Sequence, residues 1–178
     1  MKQLRITTFV AAVSLVAMLN VPSLAVADET SKFKAKLDGY QETSQTISTA
    51  GKGRFKAEVN DDETEIKIEL SYCGLEGGDP TKAHIHLGRP GLTGCSVIHL
   101  CGTGGKPACP ASPACPAPPG MVMATLKAAD VVACTAGGIA AEELKEVINA
   151  MHAHATYVNV HNGTYMGGEI RGEIKEKD

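Results

Sequence analysis

Three histidines, His84, His86 and His161, carry the spacing of metal ligands. His84 and His86 stand two apart in the segment AHIHL at 83–87. On a β-strand a two-residue step returns side chains to the same face, so both imidazoles point one way while Ile85 and Leu87 point toward a core. His161 ends a second short segment, YVNVH at 157–161, with Tyr157 and Asn159 on its own face and Val158 and Val160 opposite. Two imidazoles from one strand and one from another give a three-nitrogen donor set, which suits copper or zinc. The plain alternative is that these rings are solvated or bond a neighbouring strand. His99 alternates with Val97 near two cysteines and is a candidate fourth ligand. His152 and His154 lie at the end of an expected helix, where the helix dipole already gives an imidazole a role. Glu169 and Arg171 also stand two apart. Glu169 could take a proton from a ligand histidine or ligate directly, or the two could serve cross-strand ion pairs, worth about 0–1 kcal/mol when exposed.

Short strands must position these groups. KFKAKLD at 32–38 alternates strictly, with Phe33, Ala35 and Leu37 on one face. GKGRFKAEV at 51–59 and TEIKIEL at 64–70 continue the period of two, and Asn60-Asp61-Asp62 joins them as a hairpin turn. Further strands are expected at 83–87, 96–100, 121–126, 156–161 and 169–174, with a turn at Asn162-Gly163. One helix is expected over 140–151, where Ala140, Leu144, Val147, Ile148 and Met151 form an apolar stripe. Residues 127–138 carry no clear period. Strands outnumber helices, and turns are frequent. The expected fold is therefore mainly β, an antiparallel Greek-key-like sandwich or partly closed barrel with one short α-helix.

The first residues read as a targeting segment. Lys2 and Arg5 precede an apolar run from Ile6 to Leu19, and Ala25-Val26-Ala27 follows. This is the order of a secretory signal peptide, cut after Ala27. The mature chain, 28–178, is then one exported domain, periplasmic or extracellular, with no further run able to span a bilayer. It keeps 15 basic and 20 acidic residues, a formal charge of −5, which does not favour nucleic acid. Six cysteines remain, Cys73, Cys95, Cys101, Cys109, Cys115 and Cys134. In an oxidising compartment they read as up to three disulfides, each contributing about 2–4 kcal/mol. Spacing does not choose among the pairings, and no standard zinc loop is present. The Pro- and Gly-rich stretch at 102–120 cannot sustain a strand or helix interior and reads as an inserted loop pinned by its cysteines.

Together AHIHLGRPG at 83–91, YVNVH at 157–161 and GGEIRGEI at 167–174 resemble the CHRD family, the domain first described in chordin and widespread in bacteria. GYQET at 39–43 and GKGRF at 51–55 are similar to the family's opening strands. The resemblance covers most of residues 32–175 and implies a bacterial, secreted, β-sandwich-like domain with no settled enzymatic activity. His84, His86 and His161 match the family's histidine positions. Asn159, Glu169 and Arg171 match as residues that frame the site or stand behind the ligands. The six cysteines, the insertion at 102–120 and a fuller helix depart from the common pattern.

Three functions follow from these readings. The first is an exported metal-binding module, with copper favoured over zinc, for copper handling or redox chemistry. The second is an extracellular ligand-binding or structural domain without metal, engaging a secreted or periplasmic protein partner. The third is a copper-dependent redox enzyme, since an HxH on a strand of an exported sandwich resembles the copper ligands of copper-zinc superoxide dismutase. No Ser–His–Asp order and no paired catalytic carboxylates point to other catalysis.

Overall fold

A computed structural model describes residues 30–102 and 114–177. The expected signal peptide and Cys109 lie outside the described residues. Among the described residues, nine strands and one α-helix follow in chain order: β1 (Lys32–Asp38), β2 (Lys52–Val59), β3 (Ile66–Cys73), β4 (Pro80–Leu87), β5 (Ser96–Gly102), β6 (Gly120–Leu126), α1 (Leu144–His152), β7 (Thr156–Asn162), β8 (Ile170–Glu173) and β9 (Lys175–Glu176). Every pairing is antiparallel, in the order β5-β4-β7-β8-β1-β2-β3-β6, with β9 on β1. The ends of this order approach closure: Val131, just beyond β6, bridges Ile98 of β5, and Val132 N–H donates to Val97 C=O at 2.9 Å. The fold is a nearly closed antiparallel β structure, as the short alternating strands imply.

The period of two decides what lies inside. Phe33, Ala35 and Leu37 of β1, Phe55, Ala57 and Val59 of β2, and Ile66, Ile68 and Leu70 of β3 are all buried in one core. The opposite faces of these strands carry exposed lysines and glutamates. The β2–β3 turn forms as expected, because Asn60 Oδ1 accepts from the backbone N–H of Thr64 at 2.9 Å and of Glu65 at 2.8 Å.

The helix is shorter at its start than the apolar stripe predicts. Ala140 is exposed, and the buried stripe begins at Leu144. The preceding residues are tied down instead of winding: Ala140 N–H donates to Glu143 Oε2 at 2.7 Å and Glu142 N–H to Val131 C=O at 3.2 Å, with Glu142 at φ +67°.

Among the described residues two disulfides form, Cys95–Cys134 and Cys101–Cys115, and Cys73 is exposed and outside both. Cys101–Cys115 closes the base of the Pro-rich insertion, and Tyr72 O–H donates to Pro116 C=O at 2.6 Å where that loop returns to β6. Cys95–Cys134 ties the loop after β4 to the segment before α1.

β4, β7 and β8 differ from the other strands. Their inner face supplies Ala83, Ile85, Val158, Val160 and Ile170 to the core. Their outer face is polar and also buried: His84, Asn159, His161 and Arg171 are each 5% exposed or less. Three segments cover it, the stretch after β1 (39–50), the β4–β5 loop (88–95) and the β7–β8 loop (163–168), through the hydrogen bonds described next.

Candidate metal centre

The site is built on adjacent strands whose register sets its rows. His84 lies opposite Asn159, and Asn159 opposite Arg171. One step along, His86 lies opposite Tyr157 and Tyr157 opposite Glu173. On the other side, irregularities in the β4–β5 ladder bring His99 opposite His84, though the Ala83–Cys101 pairing alone would put Leu100 there. A bulge re-aims a side chain in this way.

His84, His86 and His161 converge. One ring nitrogen from each lies within 4.8 Å of the others. The ring centroids are 5.1 Å apart for His84–His161, 5.4 Å for His84–His86 and 6.3 Å for His86–His161. Ligand nitrogens about 2.0–2.1 Å from a tetrahedral ion sit roughly 3.3 Å from one another. Closing these rings onto one ion therefore needs side-chain shifts of about 1 Å, within reach of small rotations. His99 stands 4.5 Å from His84, centroid to centroid, and its Nε2 is 3.4 Å from Ser96 Oγ. His86 and His99 are half-buried, so the cluster is nearest solvent on the β5 side.

All four rings are pushed toward the neutral form. Burial, followed by the neighbouring histidines, pushes His84 down to about 2. Burial lowers His161 to about 4, opposed by its bond to the Met166 carbonyl. His86 and His99 are lowered too, mainly by burial. A neutral imidazole holds one proton, and the hydrogen bonds show where it is. His86 Nδ1 lies 2.9 Å from Gly94 C=O and His161 Nδ1 3.0 Å from Met166 C=O, so both carry the proton on Nδ1. Their Nε2 atoms therefore carry lone pairs: that of His86 is unpartnered, and that of His161 faces Asn159 Oδ1. His86 Nε2 and both ring nitrogens of His84 are buried without a hydrogen-bond partner. Buried polar atoms are rarely left so. Imidazole lone pairs facing one spot, two of the three rings fixed from behind by a backbone carbonyl, suit a metal ion.

The frame around them is a stack. The Tyr157 ring lies parallel to His86, 4.7 Å away at 7°, and the Arg171 guanidinium carbon sits 3.4 Å from the Tyr157 ring centroid. Arg171 is fully buried and is held by Glu173 Oε1 at 2.9 and 3.2 Å, by Thr43 Oγ1 at 2.8 Å and by Arg89 C=O at 3.5 Å. Its charge, transmitted past Tyr157, further disfavours a proton on His86. Arg171 thus frames the site, but its ion pair is with Glu173 of its own strand, not across the sheet.

Glu169 stands apart from the cluster. Its carboxylate accepts from the backbone N–H of Glu76 at 2.7 Å and of Gly77 at 3.0 Å, and from Asn162 Nδ2. It pins the β3–β4 loop and is not presented to the histidines. Asn159 does reach them, with Oδ1 2.9 Å from His161 Nε2. His152 contacts Glu176 and Phe33 instead of the cluster. Met166 contributes its backbone carbonyl, while its side chain is 75% exposed.

One group at the site is Glu42, of the GYQET segment, to which the sequence attaches no chemistry. It is 6% exposed and interacts with Asn159 and Arg171. Its neighbours Gly39 to Gln41 form a 3-10 turn with no periodic signal, so only the distant pairing of β7 with β8 reveals its place.

A family model described as the CHRD domain matches residues 33–174. That span contains every residue of the cluster and of its cover. No curated protein and no solved structure matches the chain.

Proposed function

The chain belongs to the CHRD domain family, and we propose that it is an exported metal-binding protein whose ion is held by His84, His86 and His161, with copper favoured over zinc. The observation that carries this reading is His84, buried with both ring nitrogens unpartnered inside a cluster of imidazoles. Leaving one buried polar group unsatisfied costs about 1–3 kcal/mol, a cost that coordination would remove. The cluster contains nitrogen donors and no carboxylate. Imidazole suits copper, zinc, iron and nickel, and among divalent ions copper binds most tightly at a given site. His99, its ring centroid 4.5 Å from that of His84, is a candidate for a fourth position. Export follows from the N-terminal 27 residues and is checked by sequencing the N-terminus of secreted protein.

The test is metal analysis of untagged protein recovered from its own host, followed by competition between copper and zinc. One ion per chain is expected, lost in the combined His84→Ala, His86→Ala and His161→Ala variant. Stoichiometric binding retained by that variant would overturn the assignment. Zinc outcompeting copper at equal free concentration would keep the site and remove the copper preference.

A further inference from the structure

His161 presents a conflict in the protein's own hydrogen bonds. Its Nδ1 faces Met166 C=O at 3.0 Å, and its Nε2 faces Asn159 Oδ1 at 2.9 Å. Both partners are drawn as acceptors, yet a neutral imidazole has one N–H to give. The carbonyl cannot donate, so the proton is on Nδ1 and the Nε2 lone pair looks at an oxygen lone pair. Two arrangements remove this repulsion. In one, the Asn159 amide is turned over, so that Nδ2 gives up its long 3.4 Å contact with Gly167 C=O and donates to His161 Nε2, and Oδ1 points away. In the other, a cation sits at Nε2.

The far side of the Asn159 amide meets Glu42. The two side chains come together at the bare Cα of Gly168, where any Cβ would run into both Glu42 Oε1 and Asn159 Nδ2. Glu42 Oε1 is buried and has no hydrogen-bond partner of its own. The groups that face this carboxyl are Asn159 and Tyr157 from β7 and Arg171 from β8. Arg171 is the cation among them, and Glu173 already engages it.

We propose that Glu42 is a positioning residue of the histidine site: through the Asn159 amide, its carboxyl decides whether His161 Nε2 is capped by an N–H or presented as a free lone pair. This rests on the metal-site reading and adds to it. With Glu42 protonated, its O–H donates to Asn159 Oδ1, and Asn159 Nδ2 caps His161. With Glu42 ionised, the carboxylate accepts from Asn159 Nδ2, and Oδ1 turns to His161, an arrangement comfortable only when a cation occupies Nε2. Uptake of a metal ion at His161 therefore turns the amide and releases the Glu42 proton to solvent. Burial, which outweighs the pull of Arg171, raises Glu42 to about 7, so metal-free protein keeps that proton in about half its molecules at neutral pH and in most of them at pH 6. His84 and His161, with values of about 2 and about 4, have none to release, and a proton from His86 or His99 is common to wild type and variant.

Calorimetric titration with zinc chloride in buffers of different ionisation enthalpy counts the protons released. At pH 6 wild-type protein is expected to release about one proton more than Glu42→Gln, and at pH 8.5 the two are expected to release the same number. Glutamine can satisfy Asn159 in either orientation, so Glu42→Gln keeps zinc affinity within a few-fold at pH 8.5. Glu42→Leu, which satisfies neither, loses ten-fold or more. Equal proton counts for wild type and Glu42→Gln at pH 6 would overturn the proposal. Zinc chloride and copper(II) chloride both failing to bind wild type at either pH would overturn the metal site beneath it. In wild-type protein alone, the Glu42 carboxyl carbon resonance should titrate near neutral pH without zinc and remain that of a carboxylate with it. A titration that zinc leaves unmoved would also overturn the proposal.

Discussion

Acidification of the metal-free protein from pH 7 to pH 5 tests whether the histidines are buried as neutral rings. His84 and His161 have folded-state values of about 2 and about 4, below the 6.5 of an unfolded chain. The stability each contributes is full above pH 6.5 and is lost as pH falls toward its folded value, because the unfolded chain takes up a proton that the folded chain refuses. At about 1.4 kcal/mol per pH unit, each costs about 2 kcal/mol between pH 7 and pH 5, or about 4 kcal/mol together. Glu42 works the other way. Its folded value is raised to about 7 from 4.5, so its contribution grows as pH falls, by about 2 kcal/mol over the same interval. The three groups leave a net loss of about 2 kcal/mol, to which the lowered His86 and His99 add. Surface carboxylates also titrate in this range, so the decisive quantity is a difference. Replacing His84 with Ala opens a cavity, whose cost is the same at both pH values. The variant's loss between pH 7 and pH 5 should therefore be about 2 kcal/mol smaller than wild type's. Urea unfolding followed by circular dichroism, with a chelator present, measures both. Equal losses in wild type and variant would mean that His84 titrates normally, and the neutral cluster would be wrong.

Arg171→Ala should cost about 3–5 kcal/mol, since it leaves the partly buried Glu173 and the buried Tyr157 without the guanidinium. For a chain of this size that is a fall in Tm of roughly 10 °C, and a fall of under 2 °C in a thermal melt would contradict the stack. Gly168→Ala places a side chain at φ +125° and against Glu42 and Asn159. A loss of about 1–3 kcal/mol by urea unfolding is expected from backbone strain alone. Removing Cys95–Cys134 by paired Cys→Ser substitution opens a closed loop of sequence separation 39, worth about 4 kcal/mol on the chain-entropy account. It should also speed amide exchange at Gly94, whose carbonyl holds His86. Unchanged exchange there would mean that the loop is fixed by its other contacts.

Much of this was legible in the chain because a β-strand writes its two faces into alternate residues. Phe33, Ala35 and Leu37 could be assigned to the core, and His84 and His86 to one face, without knowing any partner. The convergence of His161 needed one further step, the pairing of β4 with β7, and the chain does not spell out which strands meet. The limits have the same cause. His99 sits beside His84 through ladder irregularities that alternation cannot show. Tyr157, Asn159 and Arg171 look like a solvated outer face when read along their strands, and they are buried because distant segments fold over them. Glu169 and Arg171 share a spacing, yet one pins the Glu76–Gly77 backbone and the other stacks on Tyr157. Glu42 was invisible for the same reason, since its importance depends on Asn159 and Gly168, more than a hundred residues away.

The polar layer explains why the cover is built as it is. A nearly closed β structure already buries its apolar face, so nothing in core formation requires roofing β4, β7 and β8. The roof instead supplies backbone carbonyls at particular points: Gly94 to His86, Met166 to His161, Gly167 to Asn159 at 3.4 Å and Arg89 to Arg171. The Gly94, Met166 and Arg89 carbonyls each fix the proton or the orientation of the side chain beneath them. Carbonyls can only accept, so they force the imidazole protons outward onto Nδ1 and leave the Nε2 lone pairs turned inward. A roof meant only to exclude water would bring apolar side chains, and Met166 instead turns its side chain out to solvent and its carbonyl in. The burial that depresses the histidines and the carbonyls that choose their tautomers come from the same loops. Loosening any of them should therefore raise the histidine values and weaken metal binding together, whereas substitutions on the exposed outer face of β1 to β3 should change neither.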